Sequence, residues 1–459
     1  MDTLTRNVGT SRVRSVGSAG WLQRNPVLTS LIILVCAVSV RLFFAYRAEP
    51  SHLVFPDSGT YFDTAANLQE SGTFVNRYQK PETTRTPGYP FFLAALMTGF
   101  GKELRILLLV QAVILSSSVV LLYWLARHIL PPVMAFTGAL LAAVSPWGAA
   151  RAGFLLSDGL FLMVLALLFV VMYIVVRFAR TSGTVLAGGS LVGLLTSVVV
   201  FVRPVFPLIA LVALAMFTLY PEKRARAWLL VAAMIVCALV PLQLWKMRNL
   251  HEAQFNGFSD VSGKAAWQWL ASSVRGEVAG SIGDRWAMLR AAEEVENQWT
   301  LSVQEAHDER WRLANEVFRA HPFLTVYVFN LNAAEALIHP QPSILTPARL
   351  NFPGDTIALG GIWAAFILCS AIGIRHIWGK GEPDESIDRD WLLAMLIICL
   401  ALTFTAGVSF GAGARYRIAL ELIVPLLAGV GLVRIVTVIR EKRRMMWLSS
   451  SPLKIDQIR

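Results

Sequence analysis

Apolar residues along this chain gather into long unbroken stretches, separated by short segments rich in arginine and lysine. A helix needs roughly 20 mostly apolar residues to cross a bilayer. About ten stretches approach that length, near 27–47, 103–126, 132–150, 157–178, 183–202, 204–220, 227–247, 357–376, 390–410 and 417–437. Arg203-Pro204 interrupts the apolar run between Gly183 and Tyr220. The pattern predicts an all-α fold: a polytopic transmembrane helix bundle with two long segments, about 48–102 and 248–356, on one side.

Basic residues in short loops mark the cytoplasmic side of a membrane protein. Arg6, Arg12, Arg14 and Arg24 precede the first run. Arg127-His128, Arg177 with Arg180, Lys223-Arg224-Arg226, Arg375 with Lys380, and the tail from Arg440 to Arg444 fall on the same side. Both termini are therefore expected in the cytoplasm of a plasma (inner) membrane. The first run contains Arg41 and no cleavage site follows it, so it reads as an uncleaved span. The run His321–His339 is apolar, but counting it as a span would invert the tail; it reads as a helix lying at the outer interface. Arg285 to Arg319 has helical spacing and predicts two soluble helices. The organisation expected is a basic leader (1–26), a transmembrane module (27–247), an outer helical segment (248–356), a second module (357–440) and a basic tail (441–459). No internal repeat is visible.

Composition agrees. The 459 residues are 55% hydrophobic and 15% charged, against about 25% charged in soluble domains. The net charge of +11 sits at the ends of apolar runs, which suits anionic lipid and not nucleic acid. Cys36, Cys237, Cys369 and Cys399 lie inside apolar runs and read as small core residues. Nucleotide-binding glycine loops, zinc spacing and Ser/His/Asp motifs are absent.

Candidate chemistry collects at the ends of runs on the outer side. In Phe55-Pro56-Asp57-Ser58-Gly59-Thr60-Tyr61-Phe62-Asp63, Pro56 is expected to end the first span, leaving Asp57 at the mouth of the bundle. Asp57 or Ser58 could cap a short helix running to Glu70, and Asp57 is either that cap alone or a functional acid. Tyr61, one turn on, shares its face, and Asp63 does not. Thr84-Arg85-Thr86-Pro87-Gly88-Tyr89-Pro90 predicts an irregular turn above the membrane. Arg85 there either binds a phosphate headgroup or reaches to bulk lipid. Asp158, after Ser157, opens a span as a cap or as a paired functional acid. Arg203, Arg248, Arg415 and Arg417 stand at outer ends against the positive-inside tendency, so an anion is expected to neutralise them. His52 and His251 lie near the same rim.

In this order, these residues resemble the polytopic glycosyltransferases of the GT-C fold, in particular the protein O-mannosyltransferase and aminoarabinose-transferase group. Asp57, Tyr61 and Gly72 are similar to that family's acid, tyrosine and glycine after the first span. Arg85 to Pro90 looks like its proline turn. Ser157-Asp158, Arg203-Pro204, Arg248-Asn249 and Arg415-Tyr416-Arg417 look like further family positions. The resemblance implies transfer of a sugar from a polyprenyl-phosphate donor to a glycan, lipid or protein acceptor on the outer face, with inversion. It implies Asp57 as general base and Asp158 as its catalytic partner. Arg85, Arg248, Arg415 and Arg417 would bind the donor phosphate, and Tyr61, Tyr89 and Arg203 the substrate. The family often has two adjacent acids where Asp57-Ser58 stands, so a divalent metal is left open. Glu82 is only roughly placed against an acid some relatives carry, and Ala419 stands where the last motif often has proline. A transporter, a lipid flippase or a membrane assembly subunit would also explain the spans.

Overall fold

The computed structural model describes residues 18–49, 56–221, 224–280, 282–346, 348–351, 353–379, 384–409 and 413–450. Arg6, Arg12, Arg14, His52, Phe55, Lys223, Lys380 and the tail beyond 450 lie outside the described residues. The described chain is helical, with a single antiparallel bridge between Val75 and Pro81.

Seven helices are long and apolar enough to cross a membrane: Pro26–Arg47, Leu104–Ile129, Asp158–Phe178, Ser182–Val202, Arg224–Ala253, Asp355–Trp378 and Arg389–Val408. Two bent pairs raise the number to nine if each is one span. They are Pro132–Val144 with Pro146–Gly153, bent 45°, and Arg415–Leu422 with Val424–Trp447, bent 50°. Only helices satisfy every backbone group inside hydrocarbon without a partner strand, and this chain is an integral membrane protein. The Asp158 helix runs through the middle of the bundle and buries Leu160, Phe161, Leu165, Phe169 and Met172. Cys399 is buried, the other cysteines are half-buried, and all four are free.

The expected span at 204–220 becomes the 13-residue helix Pro207–Leu219. At 1.5 Å per residue this rises about 20 Å, short of a hydrocarbon core of about 30 Å. The cause is local. Proline disfavours helical backbone in the residue before it, and Arg203 leaves its helix at φ −142°, ψ 130°. Pro207 then starts the next helix, where a missing N–H costs nothing.

Two further expectations need correction. The first span stops at Arg47, and Pro56 opens the next helix, Pro56–Ser71, instead of closing the first. The irregular backbone expected over Thr84–Pro90 extends only to Pro87, which stands at the N-cap of the helix Gly88–Phe100; Pro90 lies in the first turn of that helix, where proline is tolerated. Gly72 ends the Asp57 helix at φ +69°, a conformation glycine adopts without strain.

At the Asp57 end, the segment after Ala253 folds into helices. The two expected between Arg285 and Arg319 are Ile282–Asn297 and Val303–Ala320, the second opened by a reciprocal Ser302–Glu305 capping box. Helix Pro322–Ile338 follows, apolar, with Phe323, Val326, Tyr327 and Ile338 exposed. Ala266, Trp267, Ala271, Ala292 and Ala314 form a small separate core.

Gly88 lets one helix start against the end of another. A Cβ there would lie 2.7 Å from the Val202 amide nitrogen. Gly99, on the same helix, has open space around it. Gly88→Ala is therefore expected to lower the thermal midpoint of the purified protein, and Gly99→Ala to leave it unchanged or raise it slightly. Equal midpoints for the two variants would contradict this packing.

Candidate active site

Asp57 lies in the first turn of its helix, yet its carboxylate does not cap it. Oδ1 accepts from Arg85 Nη2 at 2.6 Å, and Oδ2 accepts from Arg415 Nη1 at 2.9 Å. Arg85 also donates from Nε to Thr60 Oγ1 at 2.8 Å, and its guanidinium lies 5.0 Å from the centre of the Tyr61 ring. Buried Glu82 sets the loop that delivers Arg85: its Oε1 accepts from the amides of Thr84 at 2.7 Å and Arg85 at 2.9 Å. The following segment clamps the loop from outside. Ser259 Oγ donates to Thr84 O at 2.7 Å, and the Asp260 amide donates to Thr83 O at 2.9 Å.

Burial by itself would raise the Asp57 pKa, but the Arg85 and Arg415 guanidiniums outweigh it and hold the carboxyl at about 2, below its ordinary 3.8. A carboxyl depressed on folding stabilises the fold above its unfolded pKa and loses that contribution as pH falls through its folded pKa. For Asp57 that window runs from about pH 5 down to about pH 2.

Asp158 is fully buried at the start of its helix, and Ser157 before it makes no side-chain capping bond. Its Oδ1 accepts from Arg203 Nη1 at 3.1 Å. Its Oδ2 accepts from Arg151 Nη1 at 3.0 Å and from Arg415 Nε at 3.4 Å. Arg415 thus joins the two aspartates directly. Tyr61 donates its hydroxyl to Ser157 Oγ at 3.4 Å and meets the Tyr89 ring edge-on, with centres 4.9 Å apart. Tyr89 is fully buried and donates to Gln111 Oε1 at 3.0 Å. Arg203 also lies 4.9 Å from the centre of the Tyr416 ring.

Arg85, Arg151, Arg203 and Arg415 contact the carboxylates of Asp57 and Asp158, four guanidiniums on two acids, while the carboxylates of Glu82 and Glu421 also act on Arg85 and Arg151. Uncompensated charge in a low-dielectric site is costly. An anion would add compensating charge, and guanidinium suits phosphate oxygens.

The structure brings Asp57, Asp158, Arg85, Arg203, Arg415 and Tyr61 together, with Tyr89 behind them. Arg248 and Arg417 stand apart. Arg248 donates to the carbonyls of Glu82 at 3.1 Å and Phe74 at 2.7 Å. Arg417 is buried between Trp147 and Trp363, and donates to His339 O at 2.6 Å. His251 is 86% exposed and pairs only with its neighbour Glu252. Sequence reasoning missed Arg151. The available signal was an arginine closing the apolar run 132–150 at the same end as the others.

The site does not fit a divalent cation. Each of the four carboxylate oxygens is already within 3.4 Å of a guanidinium nitrogen. Among the described residues, no three His, Cys, Asp or Glu side chains gather at one point. Hard divalent cations need several oxygen ligands that are free to coordinate.

No protein-family model matches the sequence, and no curated protein matches it. Solved structures do. The archaeal oligosaccharyltransferase AglB from Archaeoglobus fulgidus, in complex with an inhibitory peptide and a dolichol-phosphate, superposes on 94% of this chain with a TM-score of 0.50 and 12% identity. Its apo form covers 91% at a TM-score of 0.50 and 12% identity. These matches take in 53% and 52% of the archaeal chain, so the present protein spans about half its length. ArnT from Cupriavidus metallidurans bound to undecaprenyl phosphate is more distant: 91% of this chain, 79% of that one, 14% identity and a TM-score of 0.38. The chain has the GT-C fold.

Asp158→Asn leaves three guanidiniums around a neutral amide with no exposure to water. Breaking such a buried arrangement costs about 3–5 kcal/mol, so a large fall in thermal midpoint is expected. Asp57, whose side chain is 30% exposed, should tolerate the same change with a much smaller fall. Equal losses would contradict the burial difference between the two acids.

Proposed function

We propose that this protein is a membrane glycosyltransferase that moves a sugar from a polyprenyl-phosphate donor to a hydroxyl of a glycan, lipid or protein acceptor on the outer face of the membrane. The observation that carries the reading is Arg415 bridging Asp57 and Asp158, with three more arginines on the same carboxylates. Support comes from the fold, shared with an oligosaccharyltransferase that was solved with a dolichol-phosphate.

In this reading the donor's lipid tail lies between the spans, and its phosphodiester meets the arginine cluster. Arg85 and Arg415 turn from Asp57 towards the phosphate oxygens. The acceptor oxygen forms a bond to the anomeric carbon as the bond from that carbon to the phosphate oxygen breaks. The acceptor's proton passes to Asp57, and the phosphate leaves with the bonding electrons as a monoester bearing about two charges. A single displacement of this kind inverts the anomeric centre. Asp158 keeps Arg203 and Arg415 facing the leaving group, where positive charge is most effective in the transition state. Tyr61 and Tyr89 shape the sugar side of the site.

A carboxylate with a pKa of about 2 is a weak base at neutral pH. Donor binding removes that weakness. Once the phosphate draws Arg85 and Arg415 away, burial acts on Asp57 without opposition and its pKa rises. Substrate binding therefore converts a paired structural acid into a working base.

Asp57→Asn is expected to reduce transfer by about 10²–10⁴-fold, with insertion and folding retained. A variant transferring at the normal rate would sink the base assignment. The pH dependence provides a second test. The acid limb of kcat/KM, which reports free enzyme, should lie well below the acid limb of kcat, which reports bound enzyme. One shared limb would contradict the conversion of Asp57 on binding. Transfer should also persist in excess chelator; its loss, restored by a divalent cation, would overturn the all-guanidinium site.

A further inference from the structure

Behind Asp158 the chain makes a turn unlike any other near the site. Helix Pro322–Ile338 ends, and His339-Pro340-Gln341-Pro342 follows. Gln341 stands at φ +53°, ψ +64°. This is left-handed backbone, which glycine adopts freely and side-chain-bearing residues rarely do. Proline at the next position restricts Gln341 still further. The turn is held from three sides. Trp147 Nε1 donates to Pro340 O at 2.9 Å, Arg417 Nη1 to His339 O at 2.6 Å, and the Gln341 amide to His339 Nδ1 at 3.0 Å.

A turn that needed only this backbone would be served better by glycine or asparagine. What glutamine adds is reach. Its side chain is buried, and Oε1 accepts from Arg151 Nη2 at 3.0 Å. Arg151 Nη1 donates to Asp158 Oδ2 at 3.0 Å, and Arg151 Nε is buried without a partner among the described residues. Two side-chain hydrogen bonds therefore orient the Arg151 guanidinium, one to the acid and one to Gln341. Strained backbone at a functional site is retained when it places a side chain that nothing else can place.

We propose that Gln341 is a positioning residue for the transfer reaction: it holds Arg151 against Asp158, so that Asp158 keeps Arg203 and Arg415 turned to the donor phosphate. This rests on the functional reading above. Without Gln341, Arg151 is free to swing, Asp158 shifts with it, and the leaving group loses its aligned guanidiniums at the moment of bond breaking. Ground-state binding of the donor changes little, because Arg85, Arg203 and Arg415 are all still present.

The test uses the full chain in detergent or vesicles. Gln341→Gly relieves the left-handed backbone and deletes the carboxamide. Its thermal midpoint is expected within a few degrees of wild type, while kcat falls about tenfold and KM for the lipid donor moves less than about twofold. Gln341→Glu, which keeps an acceptor for Arg151, should recover most of kcat. A glycine variant with wild-type kcat overturns the proposal, whatever its midpoint. A second measurement is independent of transfer. In an Arg151→Met background, Gln341→Gly has no hydrogen bond to lose and gives only relief of strain, so it should raise the midpoint by more than it does in wild type. Equal shifts in both backgrounds overturn the clamp. If wild-type protein transfers no sugar from any polyprenyl-phosphate donor, the functional reading fails, and this cycle still decides whether Gln341 holds Arg151.

Discussion

The site depends on one guanidinium. Arg415 donates to both Asp57 and Asp158, and so joins two carboxylates from distant parts of the chain. Two acids sharing a poorly solvated space normally force one of them to hold a proton. Here arginines supply the compensating charge. Four guanidiniums on two carboxylates suit the site to an anion. The guanidiniums that depress the Asp57 pKa are those the proposed donor phosphate would recruit, so in that reading donor binding and base activation would be one electrostatic event.

Broken helices make this arrangement possible. Arg203 stands where proline ends a span, Arg151 lies in the short 3₁₀ turn after the 45° bend, and Arg415 lies in the 3₁₀ segment before the 50° bend. Irregular backbone at membrane depth is tolerated where it is buried in protein or lines a polar cavity. Each break turns an arginine out of its helix and into the common space. The segment after Ala253 contributes through Ser259 and Asp260, and the helix before it through Arg248; all three bind the loop that presents Arg85. Arg248 therefore supports the loop carrying a site arginine and does not itself reach the aspartates.

The sequence alone determined the helical membrane architecture, because a run of about 20 apolar residues has few other stable fates. It also placed Asp57, Asp158, Arg85, Arg203 and Arg415 on one side, because charge at the end of an apolar run is local information. The short helix expected to run to Glu70, which ends at Ser71, was legible from its own local sequence, and its closing Gly72 came from the family resemblance. The break at Arg203-Pro204 was visible too, although the short helix after it was not. Only the tertiary structure decided which charges meet. Arg415 reaches Asp57 across 358 positions of chain and Asp158 across 257, and Gln341 reaches Arg151 across 190. Arg417, two residues from Arg415, points instead between two tryptophans. Apolar periodicity says how far a helix runs and says little about how it is rotated against its neighbours. That rotation comes from packing between helices distant in sequence, and it separates an arginine held on the two aspartates from one held between two tryptophans.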